Sequence, residues 1–281
     1  TWTPLGDQYN NMDIWAIAID PNNANTIYYG NGIGELWKST NAGSSFTLVD
    51  DLGSNRITTI LIHPTDANTI HCALRYNGLF RTTDGGTNWT EVVLSGMEDV
   101  AYKPGSTTTM YACGSTFYKS TDGGATFSQI TSGFQSTARM KLAVTPANSN
   151  YVYVCQSMGS GFGYLYRSTN SGTDFTVQVD HTSGNYIGSQ ASRDMAIAVD
   201  NADANEVHIG GFDMYVSTNG GTSFSQECDW YYPSTVPGGS TSSNDYSYVH
   251  ADIEVMQYIN GNIFVGSDGG IFKSTNAGDD F

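Results

Sequence analysis

The sequence predicts an all-β fold, a β-propeller of about six four-stranded antiparallel blades or six blades of a larger one. Two observations carry this. One eight-residue phrase occurs six times in the 281 residues, and each copy is framed by strand-like runs with no helical periodicity. The copies are Ser39-Thr-Asn-Ala-Gly-Ser-Ser-Phe46, Thr82-Thr-Asp-Gly-Gly-Thr-Asn-Trp89, Ser120-Thr-Asp-Gly-Gly-Ala-Thr-Phe127, Ser168-Thr-Asn-Ser-Gly-Thr-Asp-Phe175, Ser217-Thr-Asn-Gly-Gly-Thr-Ser-Phe224 and Ser274-Thr-Asn-Ala-Gly-Asp-Asp-Phe281. They start 43, 38, 48, 49 and 57 residues apart, the period of one four-stranded unit per copy. One such unit cannot bury its own faces, so residues 1–281 are expected to form a single domain with a shared core.

Earlier in the unit lies an alternating strand ending in a turn proline, as in Ile17-Ala-Ile-Asp-Pro21, Ile60-Leu-Ile-His-Pro64 and Leu142-Ala-Val-Thr-Pro146. A β-branched run follows, such as Thr26-Ile-Tyr-Tyr-Gly30, Asn150-Tyr-Val-Tyr-Val154 or Asn262-Ile-Phe-Val-Gly266. The third strand pairs an aromatic with, usually, a cation: Trp37-Lys38, Phe80-Arg81, Tyr118-Lys119, Tyr166-Arg167, Phe272-Lys273. The phrase then turns the chain into a short fourth strand, for example Thr47-Leu-Val-Asp50.

Within the phrase, each residue type has a physical task. The third position is Asn41, Asp84, Asp122, Asn170, Asn219 or Asn276, whose short side chain can bond the backbone two residues on. The fifth is Gly43, Gly86, Gly124, Gly172, Gly221 or Gly278, suited to a positive φ. The eighth is aromatic (Phe46, Trp89, Phe127, Phe175, Phe224, Phe281) and can bury a large area between neighbouring sheets.

A formal charge of −16 repels a phosphate backbone and argues against nucleic acid as a partner. No apolar stretch reaches membrane-spanning length, so direct membrane insertion is not expected. The four cysteines read as small buried side chains, with Cys113 and Cys155 in the same register. The start, Thr1-Trp-Thr-Pro-Leu5, looks like a fourth strand without its turn, and the last phrase ends the chain. Both ends fit a fragment of a longer polypeptide, with closure of the ring left open.

Binding is expected on the edge opposite the uniform turns, where the connections vary. These are Gln156 to Gly163, Asp180 to Arg193 and Cys228 to His250. The last carries Trp230, Tyr231, Tyr232, Tyr246 and Tyr248, flat faces suited to sugar rings or protein hot spots, or a small core of the loop's own. The entries of the innermost strands carry Asp13, Arg56, Glu98, Asp99, Arg139, Lys141, Arg193, Asp194, Asp252 and Glu254, a mixed-charge set fit for a polar ligand or for mutual pairing. His250, Asp252 and Glu254 alternate as along one strand face, an arrangement that could hold a divalent metal given a fourth ligand. No cofactor is expected.

The repeated phrase resembles the Asp-box, or bacterial neuraminidase repeat, of β-propellers. Sialidases of that group need an early Arg-Ile-Pro strand, which is missing here, so Arg56, Arg139 and Arg193 do not complete their arginine trio. The xyloglucan-active hydrolases place a catalytic Asp in an Asp-x-Gly-Gly stretch. Repeat six has Ser267-Asp-Gly-Gly270, whereas repeat one has Asn31-Gly-Ile-Gly34 without the carboxylate. Asp268 has no second carboxyl legible in the sequence, which a glycosidase requires about 5–10 Å away. Sortilin-type receptors and photosystem assembly factors share the boxes. Over its whole length, through Val249-His-Ala-Asp252 and Gly266-Ser-Asp-Gly-Gly-Ile271, the chain is similar to the propeller region of large secreted Bacteroidota surface proteins. That resemblance implies a location outside the cell or on its surface. Six intact turn motifs without a catalytic set imply a non-catalytic structural or adhesive module, contacting protein, glycan or other domains of the same longer chain. The competing expectation is a glycoside hydrolase of the xyloglucanase type.

Overall fold

A computed structural model describes Leu5, residues 12–228 and residues 248–281. The expected all-β propeller architecture is present: six antiparallel sheets in chain order, each a simple meander, and no α-helix among the described residues. Blade one comprises β1 (Ile14–Asp20), β2 (Asn23–Asn31), β3 (Glu35–Ser39) and β4 (Thr47–Asp51). Blade two is β5 (Ile57–His63), β6 (Asp66–Leu74), β7 (Gly78–Thr82) and β8 (Thr90–Val93). Blade three is β9 (Met97–Tyr102), β10 (Met110–Gly114), β11 (Phe117–Ser120) and β12 (Ser128–Ile130). Blade four is β13 (Met140–Val144), β14 (Val152–Met158), β15 (Gly161–Ser168) and β16 (Thr176–Asp180). Blade five is β17 (Ala196–Val199), β18 (Val207–Gly210), β19 (Met214–Ser217) and β20 (Ser225–Cys228), and blade six has three strands, β21 (Ile253–Ile259), β22 (Asn262–Ser267) and β23 (Gly270–Ser274). The chain divides into two compact units, Thr1–Tyr102 with Ser106–Gln129 and Lys103–Gly105 with Ile130–Phe281.

The phrase between third and fourth strands is a turn of two consecutive left-handed residues. The six glycines at position five have φ between 69° and 107°. Position four is left-handed as well, even where it is Ala42, Ser171 or Ala277, with φ of 57°, 60° and 61°. Two positive φ values in succession make a type I′ reversal, closed by Ser44 N–H to Asn41 C=O at 3.2 Å. This tightness moves the expected side-chain bond. The Asn or Asp oxygen accepts not two but four residues on: Asn41 from Ser45 N (2.9 Å), Asp84 from Asn88 N (2.9 Å), Asp122 from Thr126 N (3.0 Å). The amide two residues on goes to the hydroxyl at position one. Ser39 Oγ accepts from Gly43 N at 2.9 Å and donates to Asn41 Oδ1 at 2.8 Å, and the other five phrases repeat both contacts. Hydrogen bonds from Asn88 and Thr126 respectively hold the Asp84 and Asp122 carboxyls down at about 2.

The phrase is also tied to the hairpin that opens its own blade. Ala42 N donates to Asn25 O (2.9 Å), Gly85 N to Asn68 O (3.0 Å), Gly123 N to Thr108 O (2.8 Å), Ser171 N to Asn150 O (2.9 Å) and Gly220 N to Asn205 O (2.8 Å). In blades one to five the two kinds of turn therefore share one edge.

Within each of the two units, apolar clusters fill the spaces between consecutive blades. Ala16, Tyr28 and Leu36 of blade one meet Ile57, Ile60, Ile62 and Cys72 of blade two, with Trp89 against them. Phe127, Phe224 and Phe281 stand at the corresponding places between blades two and three, four and five, and five and six. Phe175 is the one fully buried ring of the six, lying 4.7 Å from Phe134; the other five are half-buried. Phe46 packs edge-on to Tyr29 within its own blade, 4.9 Å between centroids. All four cysteines are free and buried, and burial pushes the Cys155 thiol up to about 12.

Two junctions carry a buried histidine in the same register, one residue after the partner of the phrase's first hydroxyl residue. They are His71 on β6 and His208 on β18, and each has a tyrosine of the next innermost strand beside it, Tyr102 and Tyr258. His71 rests against Gly124 and is held down at about 4, chiefly by burial, with Arg81 and His63 the nearest charges. His208 places Nδ1 at 2.9 Å from Glu227 Oε2 and Nε2 at 3.3 Å from Glu206 Oε1, and Tyr258 bridges Glu206 and the ring. Burial opposes its charge, but the hydrogen bonds and charges of Glu206 and Glu227 prevail and lift it to about 9.

Candidate ligand-binding site

The side chains that gather on the edge away from the turn phrases lie where blade six begins. The turn 190–194 folds because Gln190 C=O accepts from both Arg193 N (2.7 Å) and Asp194 N (2.9 Å). That turn sends Arg193 outward, 53% exposed, and Asp194 inward, where its side chain is fully buried. Arg193 Nε lies 3.4 Å from Asp194 Oδ1 and 3.7 Å from Glu254 Oε1, and its Nη2 lies 3.6 Å from Asp268 Oδ2. Asp268 sits in the β22–β23 turn, which comes so close to His250 that a Cβ on Gly269 would lie 2.3 Å from His250 Cβ. Burial, and then the neighbouring Asp252 charge, raise the Asp194 carboxyl to about 6. Glu254 and Asp268 are open to solvent (40% and 48%), so the cluster offers a guanidinium donor and two carboxylate acceptors together.

The expected alternation of His250, Asp252 and Glu254 does not form. β21 starts only at Ile253, and Asp252 is left-handed with φ 64°, which breaks the two-residue period. The three side chains then go to separate partners. His250 Nδ1 is 3.1 Å from Ala251 O, Asp252 accepts from Gln190 Nε2 at 3.0 Å, and Glu254 faces Arg193. Among the described residues no three His, Cys, Asp or Glu side chains form a group able to hold a metal ion.

Several charges expected at the innermost strands are spent on structure. The Arg56 guanidinium stacks on Trp15, 3.9 Å from the ring centre. Arg139 Nη1 donates to Ala191 O at 2.8 Å. Glu98 is paired with Arg75 at 2.7 Å, and both side chains are about one-tenth exposed. Arg75 was not singled out in the sequence, because it lies beyond the end of β6 and only the fold brings it to Glu98. The connection expected from Gln156 to Gly163 is mostly strand: β14 and β15 stay paired as far as Met158 and Gly161, with an irregularity at Gln156. The connection 180–193 packs into the apolar cluster between blades four and five, with Ile187 and Ala191 fully buried and Tyr186 against Phe162 and Phe224. Trp230, Tyr231, Tyr232 and Tyr246 lie outside the described residues. Tyr248 is half-buried, edge-on to Phe272 at 6.0 Å. Asp194 was read as one of the mixed-charge set at the strand entries, whereas Gln190, whose carbonyl forms the turn, was not singled out.

No family model matches the chain, and no curated protein matches it in sequence. Solved structures do. A GH74 enzyme of Niastella koreensis superposes with a TM-score of 0.67 at 22% identity, over 94% of this chain and 45% of that one. The GH74 xyloglucanase of Xanthomonas campestris gives 0.68 at 18% identity, over 97% and 46%. An auxiliary nutrient binding protein of Bacteroides thetaiotaomicron gives 0.58 at 12% identity, over 93% and 69%. At these identities the likeness establishes the β-propeller fold. The chain spans less than half the length of the two GH74 structures.

Proposed function

We propose that this chain is a non-catalytic module, extracellular or on the cell surface, that holds a protein or a glycan through the edge formed by Arg193, Glu254 and Asp268 and by the insertion from Cys228 to His250. The observation that carries the reading is the burial of Asp194. Its carboxyl, raised to about 6, has the proton affinity of a general acid, yet its side chain is fully buried. The exposed carboxylates instead flank a guanidinium, a polar surface that suits hydroxyl groups or a peptide. Tyr231 and Tyr232 supply the aromatic contacts in this reading. The location follows from the resemblance to secreted surface proteins, and it agrees with a nutrient-binding protein being among the structures of like fold.

A glycan array, followed by calorimetry on the best ligand, tests the proposal. Binding is expected to be lost on deleting Tyr231 to Ser247, with the melting temperature retained, and to weaken about tenfold in Arg193→Ala. A partner seated across the turn phrases would refute it. The hydrolase reading gains one point from the fold, because Asp268 shares a guanidinium with a second exposed carboxyl, Glu254. Reducing-end release from a β-glucan, abolished by Asp268→Asn, would establish that reading and end the first.

A further inference from the structure

The charges gathered at the 190–194 turn are out of balance, and every group concerned lies within the one unit Lys103–Gly105 with Ile130–Phe281. Burial, and after it the charges of Asp252, Glu254 and Asp268, push the Asp194 carboxyl upward, with Arg193 opposing them. Four carboxylates thus act together beside a single guanidinium. Its hold on them is loose. Arg193 comes no closer than 3.4 Å to Asp194, 3.7 Å to Glu254 and 3.6 Å to Asp268, where a charge-assisted hydrogen bond measures about 2.7–2.9 Å. The donors of a guanidinium lie in one plane. These acceptors come from three separate segments, the 190–194 turn, β21 and the β22–β23 turn.

Asp194 carries the clearest unmet demand. Its side chain is fully buried, and no described residue donates a hydrogen bond to either of its oxygens. A buried carboxylate in this state costs stability, so packing alone gives no reason for one there. What it supplies is negative potential, carried through low-dielectric protein to the exposed Glu254 and Asp268.

We propose that Glu254 and Asp268, with Asp194 beneath them, form an ammonium-binding site that receives a lysine side chain of a protein partner. This rests on the reading of the same edge as a binding surface, and names what it holds. A primary ammonium has three donors that turn freely, so it meets acceptors that a planar fork reaches only at long range. It needs them at about 2.7–3.2 Å, a looser convergence than the shell of a metal ion, for which no group is present among the described residues. Glu254 Oε1 and Asp268 Oδ2 both lie within 3.7 Å of one guanidinium, a narrow gap that suits the slim stem of a lysine rather than the ring of an amino sugar. The net charge of −16 draws a basic partner toward the chain. Arg193 stays at the rim, where it can donate to the main-chain carbonyls of that partner.

The probe is a blocked pentapeptide with one central lysine, titrated at low salt into residues 1–281 and followed by nuclear magnetic resonance. The same peptide with acetyl-lysine is the comparison. The lysine peptide is expected to shift the Gly269 amide, and the acetylated one to leave it in place. Binding should weaken about tenfold in the double variant Glu254→Gln/Asp268→Asn and about threefold in Asp194→Asn. It should be unchanged in Asp279→Asn, which removes an exposed carboxylate of the last turn phrase. Asp194→Asn should also raise the melting temperature, because it removes an unbonded buried charge. A variant that melts higher yet binds the peptide as before overturns the proposal, and should Asp194→Asn not fold, the double variant decides. Equal shifts from the two peptides overturn it too, as does glucosamine binding more tightly than the lysine peptide. No response to lysine, with a glycan still bound by the wild-type chain, ends this inference and leaves the binding-module reading standing; no ligand of either kind ends both.

Discussion

The blade two–three and blade five–six junctions start from one design and reach opposite charge states. Both bury a histidine at the same register beside a tyrosine of the next blade. His71 meets Gly124 and no carboxylate partner, and stays neutral down to about pH 4. His208 is flanked by Glu206 and Glu227 and stays protonated up to about pH 9. The repeat sets where an imidazole is placed, and residues outside the repeated phrase decide what it becomes.

The largest effect is expected from Glu227→Gln, which leaves a fully buried imidazolium short of one counter-charge. A loss of about 3 kcal/mol at pH 7 follows from breaking a buried pair, read by urea denaturation, with the His208 resonance titrating well below pH 9. An unchanged stability would show that the pair is not needed. Next in size is the acid limb. The folded-state value of His71 lies below its unfolded value, so stability is complete above about pH 6.5 and falls as pH drops toward 4, by roughly 2–3 kcal/mol. His208 works in the opposite sense, contributing fully below about 6.5 and losing its contribution as pH rises through 9. His71→Phe should flatten the acid limb alone; a melting profile that keeps its slope would assign the slope elsewhere.

Gly124→Ala should cost about 2 kcal/mol, from left-handed strain together with a Cβ driven into the enclosed His71 ring. The equivalent Gly278→Ala drives its Cβ against the Glu227 carboxylate that pairs with His208, and should cost a similar amount. Melting temperatures far apart for the two variants would break this equivalence. The smallest difference is between the tyrosines. Tyr258 donates to Glu206, and Tyr258→Phe should cost about 1 kcal/mol. The Tyr102 hydroxyl is buried without a hydrogen-bond partner, so Tyr102→Phe should be neutral or slightly stabilising, and a clear loss there would contradict the assignment.

What was legible in the sequence was what is local and repeated. Six phrases gave the six sheets, their strand order and the positive φ at Gly43 and its counterparts, because a turn needs only its own eight residues. The hydroxyl at position one was passed over, since Ser and Thr are ordinary strand-end residues until two left-handed residues bring Gly43 N back to Ser39. The site was less legible. Arg193 was singled out, but its partners come from β21 and from the β22–β23 turn, about sixty and seventy-five residues away, and no spacing rule links them. His250, Asp252 and Glu254 failed as a set because a single left-handed residue, Asp252, resets which way the chain faces.

The amide of position four, bonded to the carbonyl of the hairpin that opened the same blade, has a consequence beyond stability. It joins the first turn of a unit to its last, so the fastening of each unit is encoded wholly within that unit. Unequal crossing-over that copies one such stretch of gene copies its clasp as well, and only the faces packed against neighbouring blades have to be matched anew. Connections such as 180–193 and 228–250 lie outside the clasp and are free to lengthen. A lineage built this way can change its number of units and its partners by separate mutations.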